Sequence, residues 1–449
     1  MPEASSTTVA DPLPIASLAT PGDGIQYDLF LDCVHCGLCT SACPTYLETG
    51  NENDSPRGRI YLMRAVTDRR LDMNQTIQRH LELCLDCRSC ETACPSGVQY
   101  GRLIEPFRLA MNAPQQGEPK QFDWFFKYIL FGLFPYPQRL RKALVFAKIA
   151  QRLKLDRLLL RTGLWKWLPA RLGRLATLLP HIKAPDAPLE KVMPAIGKRR
   201  ARVALFTGCV QSEVFQQTNY ATVRVLQENG CDVVIPDEQG CCGAIHYHTG
   251  QEQGAIEFAA DNLKAFDRDD IDAIIVNVAG CGSMLKEYGL LWGDVRDGQA
   301  AERKQFSSKV KDVHEFLDEL GFIAPKWNIS MKVTYHDACH LVHAQKISDP
   351  PRNLIRQIPG VELLELPESE VCCGAAGTYN LVEPEMADRL GERKLDCIRA
   401  TGVSIVLTGN SGCMMQIDRQ RRLEQERVIV MHPMDLLYCA YMHKSPYDY

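Results

Sequence analysis

Residues 33–44 read CVHCGLCTSACP, and residues 84–95 read CLDCRSCETACP. Both are C-x2-C-x2-C-x3-C-P, and this pair decides the fold of the N-terminal part of the chain. Thiolates three residues apart let one short loop wrap the corner of an iron–sulfur cube. The fourth cysteine, starting a helix, is aimed away from that cube and toward a second one. The proline after it turns the chain out of the site. Eight cysteines could also make two tetrahedral zinc sites. Zinc spacings, however, come as C-x2-C pairs split by a longer loop, which a triple repeat with a trailing proline does not match. The reading is therefore one [4Fe–4S] cluster on Cys33, Cys36, Cys39 and Cys94, and a second on Cys84, Cys87, Cys90 and Cys43.

Between the two motifs lies SPRGRIYLMR (residues 55–64). Arg57, Arg59 and Arg64 stand close in sequence to anionic clusters, whose potentials positive charge and hydrogen bonds would raise. The same residues also suit a solvated helix face.

Beyond the motifs the composition is that of an ordinary globular chain. It has 449 residues, 24% charged and 45% hydrophobic, too many for one core and enough for two to four domains. A net charge of −4 gives no general attraction to nucleic acid, and no binding module for it is visible. No uncharged apolar run nears the roughly 20 residues needed to cross a bilayer. Residues 1–24 lack a basic start and an apolar core, so they read as a disordered tail and not as an export signal. The outlier is the cysteine count, 19. In a reducing, cytoplasmic compartment clustered thiols mean metal more often than disulfide.

The C-terminal half repeats itself. Cys209, Cys241-Cys242-Gly243 and Cys281 recur as Cys339, Cys372-Cys373-Gly374 and Cys413, at offsets of 130, 131 and 132. Apolar strands precede these cysteines: RVALFT (202–207), CDVVIP (231–236) and DAIIVNV (272–278) in the first copy. KVTY (332–335), VELLEL (361–366) and VSIVLT (403–408) follow in the second. A helix is expected to close at Asn229-Gly230 and another to span about residues 249–267. Strand–helix alternation predicts a parallel α/β sheet in each copy, with ligands beyond the carboxyl ends of the strands. All eight thiols fall just past strand ends, so four should converge in each copy, as an additional cluster or as redox thiols. Gly243 and Gly374 suit positive φ or a close backbone approach. Cys231, Cys397 and Cys439 lie outside the pattern and read as buried small hydrophobes. His336 and His340 flank Cys339 and are candidates to support the site; His343, His246 and His248 are weaker ones.

Residues 120–200 differ from the rest. They hold 18 Lys and Arg against 4 Asp and Glu, a net of +14 that leaves −18 elsewhere. Aromatic residues gather at FDWFFKY (122–128), Phe131, Phe134, Tyr136, Trp165 and Trp167. Over residues 139–160 helical spacing puts Arg141, Lys148 and Arg152 on one stripe and Val145, Ile149, Leu153 and Leu160 on the next. Such a segment suits an anionic membrane surface or an acidic partner, as well as an ordinary linker packed on its own domains. No phosphate- or dinucleotide-binding glycine loop and no Ser/His/Asp set is present, so two-electron chemistry is expected on another polypeptide.

Taken together, DCVHCGLCTSACPTY (32–46), SPRGRIYL (55–62), CLDCRSCETACPSG (84–97), GCCGAIHYH (240–248), HAQK (343–346) and CCGAAGTY (372–379) resemble the iron–sulfur subunits of bacterial glycolate oxidase (glycolate dehydrogenase). The resemblance covers nearly everything after residue 25. The two C-terminal copies are similar to the Cys-Cys-Gly domains of the heterodisulfide reductase family. The resemblance implies FAD on flavoprotein partners that oxidise glycolate to glyoxylate, and single electrons passed on to a quinone or another non-NAD acceptor. Relatives of the same type serve D-lactate, glycerol-3-phosphate or a heterodisulfide, and a non-catalytic, membrane-tethering subunit is the alternative from another class. One departure stands out. The reductases close each repeat with C-x2-C, whereas Cys281 is followed by Gly282, Ser283 and Met284, and Cys413 by Met414, Met415 and Gln416.

The expected architecture is thus mixed α+β and α/β. A helical, ferredoxin-like domain with two [4Fe–4S] clusters (25–112) is followed by a basic helical linker (113–200). Two tandem α/β Cys-Cys-Gly repeats (201–325 and 326–449) complete it. The expected place is the cytoplasm, with peripheral contact at the inner face of the plasma membrane through residues 120–200.

Overall fold

Runs of aliphatic and β-branched residues form the strands, because such side chains pack well on a pleated surface buried on both sides. The computed structural model describes residues 20–112, 123–292 and 298–449. In the first repeat the strands are β1 (Val192–Met193), β2 (Ala201–Phe206), β3 (Cys231–Val234), β4 (Ala273–Val276) and β5 (Val310–Asp312). In the second they are β6 (Met331–Tyr335), β7 (Val361–Leu364), β8 (Ile405–Leu407) and β9 (Ile429–Met431). The sheet orders are β1-β3-β2-β4-β5 and β7-β6-β8-β9. Apart from β1, antiparallel to β3, every pairing is parallel. The duplication read from the cysteines is therefore visible as one strand order used twice. The six expected strands are present; β1, β5 and β9 are additions at the sheet edges.

One buried core joins the two repeats, holding Val203, Leu205 and Ile275 from the first sheet and Val333, Ile405 and Leu407 from the second. Residues 20–112 are helical and contain no strand. Their core is Phe30, Ile60, Met63, Leu81, Leu103 and Phe107. This domain is clamped onto the repeats by ion pairs Arg79–Glu383 and Arg88–Glu287. Arg393 reaches Glu48 at 3.1 Å, and His343 Nδ1 lies 3.0 Å from Thr92 Oγ1. Of the expected disordered tail, residues 1–19 lie outside the described residues. Thr20–Gly24 form a turn held by the Thr20 hydroxyl donating to Asp23 Oδ1 at 2.8 Å.

The linker departs from a single helix over 139–160. It makes helices Pro137–Arg152 and Leu155–Thr162, broken where Lys154 takes φ +58°. Leu140 and Leu144 face inward, while Val145, Phe146 and Ile149 stand exposed. Arg141 stays exposed, but its charge is paired: its Nη2 donates at 2.8 Å to Glu213, whose carboxylate is buried. Among the described residues no helix is long and apolar enough to cross a membrane.

Candidate metal–sulfur centres

The two N-terminal loops share one backbone course. His35 and Gly37 in the first, and Asp86 and Arg88 in the second, all take positive φ. One left-handed residue between each two successive cysteines of a triple curls the chain around a point, so the thiols face inward. Cys33, Cys36, Cys39 and Cys94 line one small cavity of about 30 Å³, with Cys90 on its wall. Cys36 is exposed, and Val34 and Leu38 stand out into solvent beside it. Cys43, Cys84 and Cys87 are buried, and Cys90 interacts with all three. Burial pushes the Cys87 and Cys90 thiols well up, with neighbouring cysteines adding to it. A bound metal would take these thiols as thiolates and reverse that upward shift.

Cys43 caps the helix Pro44–Thr49 as its spacing suggests. Cys94 does not start a helix: Pro95 and Ser96 lead into a turn through Gly97 at φ +72°, and the next helix begins at Gly101. The three arginines separate. Arg59 is buried, with Nη1 4.0 Å from Cys43 Sγ and 3.1 Å from Thr45 Oγ1, and with Nε donating to His80 O at 2.7 Å. Arg57 lines the first thiol cavity and pairs with Glu52 at 2.6 Å. Arg64 faces Asp68 and Tyr27, away from the thiols, so the expectation of a role near a cluster fails for it.

In each repeat the four thiols form a chain of close contacts at the carboxyl ends of the strands. Cys209 Sγ lies 3.5 Å from Cys241 Sγ, Cys241 adjoins Cys242, and Cys242 hydrogen-bonds with Cys281. In the second copy the free thiol of Cys339 adjoins Cys372, Cys372 adjoins Cys373, and Cys373 adjoins Cys413. These neighbours hold Cys242 and Cys372 well below the ordinary thiol range. Cys413 is lowered to about 5, by Cys373 first and His336 after it. Cys413 also sits in the first turn of the helix Ser411–Leu423, where the helix dipole favours a thiolate; Cys281 holds the same place in the helix Ala279–Leu291, but its hydrogen bond with Cys242 and burial push its thiol well up. Gly243 and Gly374 both take φ +85°, and a Cβ at Gly374 would lie 2.7 Å from Ala387 O.

All eight repeat thiols, with Cys84, open onto one cavity of about 890 Å³ between the repeats. Phe126, Ile129, Leu133 and Leu144 of the linker form its apolar wall. Cys87 packs in one buried cluster with Cys339 and Cys372, and the Tyr379 hydroxyl donates to Leu83 O at 2.9 Å beside it. The second thiol set of the N-terminal domain therefore adjoins the second repeat.

The histidines divide likewise. His336 and His340 both stand at the thiols: His340 Nδ1 is 3.5 Å from Cys339 Sγ, and burial lowers its pKa to about 4. His248 faces the cavity and meets Asp86 at 3.7 Å. His246 is packed between the rings of Phe131 and Phe258, and His343 bridges Thr92 and Glu370. Cys231 and Cys439 are buried in the shared core, whereas Cys397 is only half-buried, packed on the cluster that holds Cys373 and Cys413 and beside Glu368. Sequence reasoning missed Asn410, whose Nδ2 donates to Cys413 Sγ at 3.4 Å and whose Oδ1 accepts from Gly280 N at 3.2 Å. It also missed the Asp86–Glu105–His248 group, whose ligand atoms lie within 4.8 Å of one another. No local signal marks that group, since its members come from three separate segments.

Known families match this layout piece by piece. A "4Fe-4S dicluster domain" matches residues 30–98, and a "Cysteine-rich domain" matches 203–286 and 333–418. The linker region of the glycolate oxidase iron–sulfur subunit matches 123–179. A protein of Bacillus subtilis named as a probable glycolate oxidase iron–sulfur subunit is 39% identical over 430 residues, covering 92% of this chain and 95% of that protein. The chain belongs to the glycolate oxidase iron–sulfur subunit family. The Escherichia coli glycolate oxidase iron–sulfur subunit is 33% identical, over 86% of this chain and 89% of its own. A lactate utilization protein A of Oceanobacillus iheyensis is 32% identical over 53% of this chain. A hypothetical protein of Helicobacter pylori, solved by crystallography, shares the fold with a TM-score of 0.50 and 11% identity, over 89% of this chain and 70% of its own. As a member of this family the chain is an iron–sulfur electron-transfer subunit that works with partner subunits in an oxidoreductase complex.

Proposed function

We propose that this chain takes electrons from glycolate, oxidised to glyoxylate on a flavoprotein partner carrying FAD, and delivers them to a quinone or another non-NAD acceptor. The observation that carries the reading is the run of thiols. It leads from the exposed Cys36 loop, through buried Cys43, Cys84 and Cys87 and half-buried Cys90, to Cys372 of the second repeat. Bound as [4Fe–4S] clusters, the iron and sulfide would take up and release single electrons. Cys33, Cys36, Cys39 and Cys94 would hold one such cluster at the surface, where Val34 and Leu38 offer apolar contact to a partner. Cys84, Cys87, Cys90 and Cys43 would hold the other in the interior. The repeat thiols, in units 201–325 and 326–449, would hold further centres or act as redox thiols beyond it.

The test is iron and acid-labile sulfide per chain, followed by reduction of the purified complex. About eight iron atoms correspond to the N-terminal clusters, and about twelve or sixteen to occupied repeats as well. Paramagnetic cluster signals are expected on glycolate and not on glycerol-3-phosphate. Clusters that glycolate never reduces would return the chain to a structural, tethering role.

Arg59 is expected to set the potential of the interior cluster. A unit charge roughly 6 Å from a cluster centre shifts its potential by on the order of 100 mV at an effective dielectric near 20. Arg59→Met should lower that midpoint accordingly in a redox titration, and Arg59→Lys should lower it much less. Equal midpoints in all three proteins would remove Arg59 from the account.

We also propose that the outer face of the linker rests on an anionic membrane at the inner, cytoplasmic side. Phe146 and Trp167 are 77% and 88% exposed and stand among Lys142, Lys148, Arg157 and Lys166. Burying each ring in an interface brings about 1.5–3 kcal/mol. Co-sedimentation with phosphatidylglycerol vesicles should fall tenfold or more in Phe146→Glu/Trp167→Glu. Unchanged sedimentation would sink the membrane reading.

A further inference from the structure

The two repeats are built alike, but one residue facing the thiols differs between them. Three positions before Cys209 stands Phe206, on β2; three before Cys339 stands His336, directly after β6. His336 is fully buried. Its Nδ1 lies 2.9 Å from Ser369 O, and a carbonyl only accepts, so Nδ1 carries the proton. That tautomer leaves Nε2 with a bare lone pair, and in its buried position the group it faces is the Cys413 thiol. A ring nitrogen of His336 and the sulfurs of Cys373 and Cys413 all lie within 4.8 Å of one another. With Nδ1 engaged, Nε2 is the nitrogen available to a ligand there.

This is the arrangement of a metal-binding histidine, which donates its other N–H to a carbonyl or carboxylate that fixes the ring. Five donors are thus collected in the second repeat and four in the first. Apart from the Cys413 thiol, which a metal would take as thiolate, neighbouring side chains are engaged elsewhere. Asn410 Nδ2 donates to Cys413 Sγ, and His340 contacts Cys339 through its own Nδ1.

We propose that the second repeat binds an iron–sulfur centre in which His336 Nε2 is a ligand beside Cys373 and Cys413, whereas the first repeat is all-thiolate. The proposal rests on the reading that the repeats hold iron–sulfur centres. With five donors for the four irons of a cube, one thiol is left unbound, and a neutral nitrogen in its place lowers the negative charge of the cluster and raises its potential. The duplicated halves would then be two unlike centres facing one cavity. The one that adjoins Cys87 would be the more readily reduced.

The test uses the full chain, purified without oxygen, with all histidines labelled with 15N. Pulsed EPR of the reduced protein should show a nitrogen coupling strong enough for direct ligation, changed by the isotope. His336→Ala should abolish that coupling, and His340→Ala should leave it. His336→Cys should restore a ligand without the coupling, with a lower midpoint. The labelled unsubstituted protein decides the matter even if the variants fold poorly. About twelve or sixteen iron atoms with no ligated nitrogen would overturn the role of His336 alone. A count of about eight would overturn it together with the reading of the repeats as iron–sulfur sites.

Discussion

Replacing Cys87 by serine is expected to remove about four iron atoms per chain and to stop glycolate-driven electrons from reaching the acceptor. Serine oxygen is a hard donor, poorly matched to an iron–sulfur cluster that thiolate suits. Cys87 is buried and belongs both to the interior thiol set and to the cluster of side chains that includes Cys339 and Cys372. It is therefore the point at which the N-terminal domain meets the second repeat. The surface thiols Cys33, Cys36, Cys39 and Cys94 line a separate cavity, so their cluster should still be reduced by glycolate in the complex. The expected picture is one reducible cluster, electrons held upstream, and acceptor reduction at background. Iron analysis, EPR and acceptor assays on one preparation check it. Acceptor reduction at the unsubstituted rate, with the interior signal gone, would mean that electrons bypass this contact.

Which parts of this path the chain announces in its sequence follows from how local each signal is. Cysteines three residues apart are brought together by a single loop, so the N-terminal sets could be read directly. The repeat thiols could be read because the same spacing occurs twice, each time after an apolar strand. Strands such as AIIV at Ala273–Val276 are buried on both faces and announce themselves by composition. β5, with the sequence VKD, and the two-residue β1 do not, because they are strands only by pairing with a sheet already formed. The linker break at Lys154 was hidden for the reverse reason: lysine is a good helix former, and nothing in its local sequence marks the φ of +58° it takes. The pairing of Arg141 with Glu213 joins residues 72 positions apart, which no local window shows. The large cavity needs walls from the linker and from both repeats, and no window of sequence contains it. His336 was visible as a neighbour of Cys339; that its Nε2 is left bare depends on Ser369, in another loop.

Gly374 offers the sharpest separation of backbone shape from cofactor chemistry. It takes φ +85°, a conformation that costs an L-residue roughly 1–2 kcal/mol. A Cβ there would also stand 2.7 Å from Ala387 O and 3.0 Å from Ala387 Cα, inside the packed helix Pro384–Thr401. Backbone cannot swing aside as a side chain can, so overpacking adds about 1–3 kcal/mol. Gly374→Ala should therefore destabilise the second repeat by about 2–5 kcal/mol. It should also push apart Cys372, Cys373 and Cys413, since Cys373 is its immediate neighbour. Gly377, three residues on, takes φ +62° with nothing within 4 Å of its Cβ position. Gly377→Ala should cost only the backbone strain, about 1–2 kcal/mol, and leave the thiols in place. Denaturant unfolding of the two variants, with iron per chain measured beside it, distinguishes the cases. If Gly374→Ala proves as mild as Gly377→Ala, the close approach of the helix to the Cys-Cys-Gly turn is not what holds these thiols together.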